Sequence, residues 1–245
     1  MGELIAILSG KGGTGKTSVC AGVATAMAQL GEDVLCIDCD IGLRNLDISL
    51  GLTDSGALSF REVSEGGYDL SQAAVHPEYP KLRFLTAPMN CAPEEVDRDA
   101  FAALLRQARS RFAYIFLDAP AGIDAGFRLC ASFADRVILV TGSDPASIRD
   151  ASRTGEVLEL MEKQSVRLVV NRIHPKMFDT MGITVDDIMD RAGLPLLGIV
   201  PEDPNVTLAA AFRKSLLHCT KKGAAAACLR IAKRIQGLPI PVSIR

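Results

Sequence analysis

The segment Ser9-Gly10-Lys11-Gly12-Gly13-Thr14-Gly15-Lys16-Thr17 constrains this chain more than any other. It follows an apolar run at residues 4–8 and opens a helical pattern at residues 16–30. Strand, loop and helix therefore come in the order that G-x-x-x-x-G-K-[ST] requires, with Gly10, Gly15, Lys16 and Thr17 at the fixed positions. Glycines let the backbone curl so that successive N–H groups point inward, and the helix start adds partial positive charge; both suit a phosphate. Gly10, Lys11, Gly12, Gly13, Thr14, Gly15, Lys16, Thr17 and Ser18 are the phosphate-side candidates. Lys16 is expected to reach the β and γ phosphates and the Thr17 hydroxyl to ligate Mg²⁺. A Gly-rich turn with a surface lysine is the plain alternative, and the strand–loop–helix context argues against it. Lys11 is surplus to a generic loop. It is either a solvated side chain or a charge that reaches a second subunit's nucleotide, as an arginine finger does in trans.

The rest of the chain says what the loop is mounted on. Short aliphatic runs at residues 4–8, 34–37, 82–85, 114–117, 137–140, 168–170 and 196–200 read as strands apolar on both faces. Helical patterns at 16–30, 99–109, 146–163, 185–191 and 224–235 fall between them. The expected fold is α/β: one doubly wound, mostly parallel sheet with helices on both faces, in a single domain spanning 1–245.

Ligands bind such sheets at the carboxyl ends of strands. There the second strand ends in Asp38-Cys39-Asp40, and Tyr114-Ile115-Phe116-Leu117 ends in Asp118. Asp38 and Asp118 are metal candidates beside Thr17, and Asp40 is a candidate for orienting an attacking water. Aspartate at a strand end is also ordinary turn chemistry, and one of the pair Asp38 and Asp40 has that simpler reading. Gly42 and the turn Ala119-Pro120-Ala121-Gly122 complete a candidate switch, formed by Asp40, Gly42, Asp118, Pro120 and Gly122, that would sense the γ-phosphate.

The run from Lys11 to Thr17 resembles the deviant Walker A ATPases, the MinD/ParA family. The stretches from Asp38 to Asp47, Asp118 to Ile123, Val170-Asn171-Arg172 and Gly198 to Asp203 are similar to its MinD branch, with likeness from about residue 3 to 205. The resemblance implies an ATPase that binds ATP with Mg²⁺ and forms a homodimer around it, with Lys11 contacting the partner's phosphates. It implies catalytic roles for Lys11, Lys16 and Asp40, with Asp40 positioning the water. It places Asn171, Arg172, Pro201, Glu202 and Asp203 around the adenine. It further implies division-septum placement at the cytoplasmic membrane, with a MinC-like inhibitor and a MinE-like or other polar regulator as partners. Two stretches depart from the family. Residues 206–214 replace an Asn-x-Gly-Glu-Pro-like segment, and residues 238–245 lack the pattern of a short basic amphipathic helix.

Charge singles out the divergent region, 206–245. The net charge of −2 over 245 residues conceals an uneven division. After Asp203 there is no acidic residue, and Arg213, Lys214, Lys221, Lys222, Arg230, Lys233, Arg234 and Arg245 give +8 against −10 before it. Residues 224–235 read as a last helix packing one face on the sheet. Alternatively the basic residues join in one surface for anionic lipid or DNA phosphates. With aromatics at 5% and no Trp, a stacked-aromatic nucleic-acid surface is not expected. Seven scattered cysteines read as free thiols in a reducing compartment, and the start shows no signal-peptide pattern, so the expectation is cytoplasmic or peripheral. Cys36 and Cys39 differ by an odd number of strand positions and are expected on opposite faces. Two rival functions stay open: a ParA-like partition ATPase binding nonspecific DNA, and a nucleotide-binding scaffold without turnover.

Overall fold

The computed structural model describes residues 1–53, 55–89, 91–174, 180, 182 and 184–242. Among them, eight strands form one sheet in the order β3-β4-β2-β5-β1-β6-β7-β8. These are β1 (Glu3–Leu8), β2 (Val34–Asp38), β3 (Ala74–Val75), β4 (Leu82–Leu85), β5 (Tyr114–Asp118), β6 (Arg136–Thr141), β7 (Val166–Ile173) and β8 (Leu196–Pro201). Every pairing is parallel except the short β3 against β4. The expected doubly wound α/β sheet is therefore the observed one.

The central strand shows why the sequence gives this arrangement. Along β1 the side chains of Leu4, Ala6 and Leu8 enter one apolar layer while Ile5 and Ile7 enter the other. Both layers are dry, so the strand has no polar face to alternate with. The first layer is covered by α3 (Phe60–Ser64), α4 (Arg98–Arg111), α5 (Ala125–Phe133), α6 (Pro145–Leu160) and α7 (Val185–Ala192). The second is covered by α1 (Lys16–Gln29), α2 (Leu46–Leu50), α9 (Leu216–Cys219) and α10 (Gly223–Ile235), with α8 (Pro204–Ala211) beside them. Cys36 lies in the second layer and Cys39 in the first, on opposite faces as the spacing predicts.

Four departures from the sequence reading have physical causes. α2, α3 and α9 are five residues or fewer, too short for a 3.6-residue period to register. α5 is compact and nine residues long. α8 is announced by Asp203-Pro204, an N-cap followed by proline at the first helical position. β7 runs longer than the apolar core of its sequence because Asn171 and Arg172 continue the strand through a register shift.

The divergent region is part of this packing. α10 lies against α1 and β8, and a Cβ on Gly22 of α1 would approach Cys228 Sγ to 2.6 Å. Thirteen residues make α10 about 20 Å long. Lys222 stands at its start after Lys221, Arg230 falls within it, and Lys233 and Arg234 stand in its last turn. Its apolar face packs in the second layer, the first of the two readings of this helix; Arg245 lies outside the described residues.

Candidate functional site

β1 delivers the loop and α1 receives it. Gly15 is the N-cap of α1 with φ +81°, and Gly13 has φ +82°, left-handed conformations that favour glycine. A Cβ on Gly15 would collide with the Asn171 side-chain amide, and one on Gly10 would collide with α6, including the Asp150 carbonyl oxygen at 2.8 Å. Gly12 and Gly13 open to free space instead, which leaves the crown of the loop accessible. Asn171 Nδ2 donates to the Thr14 carbonyl at 2.8 Å and fastens the loop to β7. Ser18 lies in the first turns of α1 and faces the cavity described below.

The two loop lysines have opposite environments. Lys16 is only 5% exposed, and its Nζ donates to Asp118 Oδ1 at 2.7 Å. Burial works against its charge, but the Asp118 carboxylate more than offsets this and holds the ammonium above its usual pKa. Lys11 is on the surface, 3.4 Å from Asp144 Oδ1. Asp144 also caps α6 by accepting from the Ser147 N–H at 3.0 Å and from the Ser147 hydroxyl.

Three oxygen donors meet next to Lys16. Asp38 and Asp118 are paired in register at the carboxyl ends of β2 and β5, and Thr17 bonds Asp118 through its hydroxyl. Burial, reinforced by the Asp118 charge, pushes Asp38 up to about 7 even though it accepts from the Asp40 N–H at 2.9 Å and the Leu46 N–H at 3.2 Å. Asp118 is also pushed up by burial, with Lys16 pulling it back. Two hard carboxylates and a hydroxyl, short of positive charge, are the donor set that suits Mg²⁺. Thr14 Oγ1 is buried without a hydrogen-bond partner, an orphaned group in the middle of the loop that a phosphate oxygen would satisfy.

Asp40 is half buried, raised by burial and steadied by the charge of Lys16. Gly42 follows it with φ +123° and open space around its Cα. Gly122, with φ +99°, donates its N–H to the Ser9 carbonyl at 3.0 Å, tying the turn after β5 to the start of the loop. Pro120 in that turn packs against Gly126 of α5, where a Cβ would approach Pro120 Cδ to 3.1 Å. Of the candidate switch residues, Asp118 and Gly122 are bonded to the loop, at Lys16 and Ser9.

A cavity of about 200 Å³ continues from Gly15 and Ser18. Asn171, Arg172, Pro201, Glu202 and Asp203 all line it. Arg172 adopts φ +59° and bridges to Glu202 at 2.9 Å while donating to the Gly13 carbonyl at 3.1 Å. The sequence reading missed the opposite wall, which includes Val206, Thr207, Leu216 and Cys228, and it missed Asp144. The Asp144-Pro145 pair was a usable signal for a helix start; the wall residues carry no local signal.

A phosphate loop and a base-sized cavity, joined along one strand edge, define a phosphate-loop nucleotide-binding protein. The CobQ/CobB/MinD/ParA nucleotide binding domain matches residues 5–216, and the chain belongs to that family. It is 35% identical over 244 residues to the septum site-determining protein MinD of Synechocystis sp., covering 98% of this chain and 92% of that one. Among solved structures, MinD in the MinC:MinD cell division complex of Aquifex aeolicus matches with TM-score 0.90 and 34% identity over 98% of both chains. The MinD of Pyrococcus horikoshii OT3 complexed with Mg-ADP matches with TM-score 0.83 and 25% identity over 96% of both. The chain is a MinD-type ATPase of the septum-placing kind. No helix among the described residues is long and apolar enough to cross a membrane.

Proposed function

We propose that this chain is a dimerising ATP switch in which Lys16, Thr17, Asp38, Asp40 and Asp118 handle the phosphates of one protomer and Lys11 serves the partner. The observation that supports it best is the unequal placement of two lysines on one loop, Lys16 buried against Asp118 and Lys11 half-exposed beside Asp144. A buried lysine cannot leave its own site, whereas a half-exposed one beside an open glycine crown, held only by a surface contact to Asp144, can turn to a second copy. ATP takes the place of Asp118 as the partner of Lys16, and its base enters the cavity bounded by Asn171, Arg172 and Pro201-Glu202-Asp203. Thr17, Asp38 and Asp118 would hold Mg²⁺, which neutralises charge on the phosphates when bound. Asp40 orients the water that attacks the γ-phosphorus, the bond to the β,γ-bridging oxygen breaks, and ADP and phosphate form. Asp40 and Gly122, both adjoining the loop, convey the loss of the γ-phosphate to the surface.

The partners follow the same reading. A MinC-like inhibitor docks on the ATP-bound dimer, a MinE-like or other polar regulator discharges it, and an anionic membrane is the surface where this happens. The DNA-partition alternative is disfavoured by the likeness to septum site-determining relatives over nearly the whole chain. Light scattering on the eluted protein tests the dimer. With Mg-ATP, Asp40→Ala is expected to run as a dimer and to carry a MinC-type protein with it, while Lys11→Ala stays monomeric. A monomer in every nucleotide state contradicts the proposal.

A further inference from the structure

The far end of α10 faces a second cavity, of about 440 Å³, at the amino-terminal ends of β6, β7 and β8. The sheet is parallel here, so this edge lies a strand length, about 17 Å, from the phosphate loop. Arg136, Arg167 and Arg234 line it together with the Ser165 hydroxyl, and no carboxylate does.

Two of the guanidinium groups, those of Arg136 and Arg234, are held in place by backbone acceptors. Arg234 donates from Nε to the Ile240 carbonyl at 2.8 Å, from Nη1 to Leu197 at 2.9 Å and from Nη2 to Pro241 at 2.6 Å. Those three bonds fix the fork in position, leave two of its five N–H groups over and neutralise none of its charge. Arg136 donates to the Ile235 carbonyl at 3.0 Å, covering the negative end of α10, and pairs with Glu3 at 2.8 Å. Arg167 is exposed and makes no ion pair among the described residues. Arg230 lies one turn before Arg234 and repels it. Of the carboxylates at this edge, Glu3 is engaged by Arg136, Asp135 by Arg109, and Glu32 accepts from Gln236 at 2.8 Å. Three lining arginines, only one of them paired with a carboxylate, leave a positive recess in which the Arg136 and Arg234 forks are positioned before any ligand arrives. Such forks match the paired oxygens of a phosphate, and little side-chain entropy remains to be lost on binding.

We propose that this arginine-lined cavity binds a phosphate-bearing anion, either free in solution or as a lipid headgroup. The nucleotide reading is not needed for it. The test uses the full chain saturated with Mg-ADP, so that the phosphate loop is filled. Pyrophosphate is titrated calorimetrically, and vesicles of phosphatidylglycerol or of phosphatidylcholine alone are sedimented in parallel. Arg167→Gln is the variant of choice because Arg167 is exposed and distant from the nucleotide; unchanged ATP hydrolysis reports that it folds. One further pyrophosphate per chain, weakened at least fivefold by Arg167→Gln, supports a soluble anion. Capture on phosphatidylglycerol but not phosphatidylcholine vesicles, lost in Arg167→Gln, supports a headgroup. Binding of neither probe, or binding that Arg167→Gln leaves unchanged, overturns the proposal.

Discussion

Asp38 carries an unusual consequence at the scale of a single residue. Burial and the charge of Asp118 raise its pKa to about 7 from 3.8. Between about pH 4 and 7 the native protein holds a proton there that the unfolded chain has released. Its contribution to stability is therefore favourable at low pH and is lost as pH rises through that window. The nucleotide-free protein is expected to melt at a higher temperature at pH 5 than at pH 8, and Asp38→Asn to show a shallower dependence. A pH dependence that Asp38→Asn leaves unchanged contradicts this reading of the site. The residues of the loop, with Asp38 and Asp118, were legible in the sequence because a continuous motif and two strand ends state their roles locally. Asp144 was not, because it reaches Lys11 over more than 130 residues of intervening chain and nothing beside it marks the meeting.

Helices carry the next set of predictions. Asp203 connects two of them, accepting from the Asn205 N–H at 2.9 Å in α8 and from the Ala224 N–H at 3.0 Å in α10. Burial works against its charge, but these bonds hold its carboxyl below the usual range. The stability it contributes is accordingly present at neutral pH and lost as pH falls through the folded-state value. Asp203→Ala is expected to cost about 1–2 kcal/mol in denaturant melts at pH 7, the usual cost of a lost cap. The α1–α10 contact gives a sharper case, since Gly22 leaves no room beside Cys228. Gly22→Val should cost about 1–3 kcal/mol by overpacking, measured the same way. The long α4 and α6 were readable because an aspartate cap and apolar periodicity agree over more than three turns. The short α2, α3 and α9 and the two-residue β3 were not, since packing against neighbours, rather than local propensity, sustains elements of that size.

For the whole molecule, the parallel sheet separates two working edges. The carboxyl edge carries the glycine-rich loop, the Asp38 and Asp118 carboxylates and the cavity beside Gly15, and the amino edge holds the arginine recess. The strand–helix alternation made the sheet predictable, yet a charge count along the chain merged Lys222 with Lys233 and Arg234, which stand at opposite ends of α10, about 20 Å long. Asp40 gives the most direct test of the central claim, because it borders the loop without bonding it and its removal should leave binding intact. Phosphate release from Mg-ATP by wild type and Asp40→Ala, at equal nucleotide occupancy, is the measurement. The account predicts steady turnover by wild type and a loss of at least about 100-fold in the variant, within the range expected for a positioned catalytic group. Equal turnover by the two proteins would contradict it.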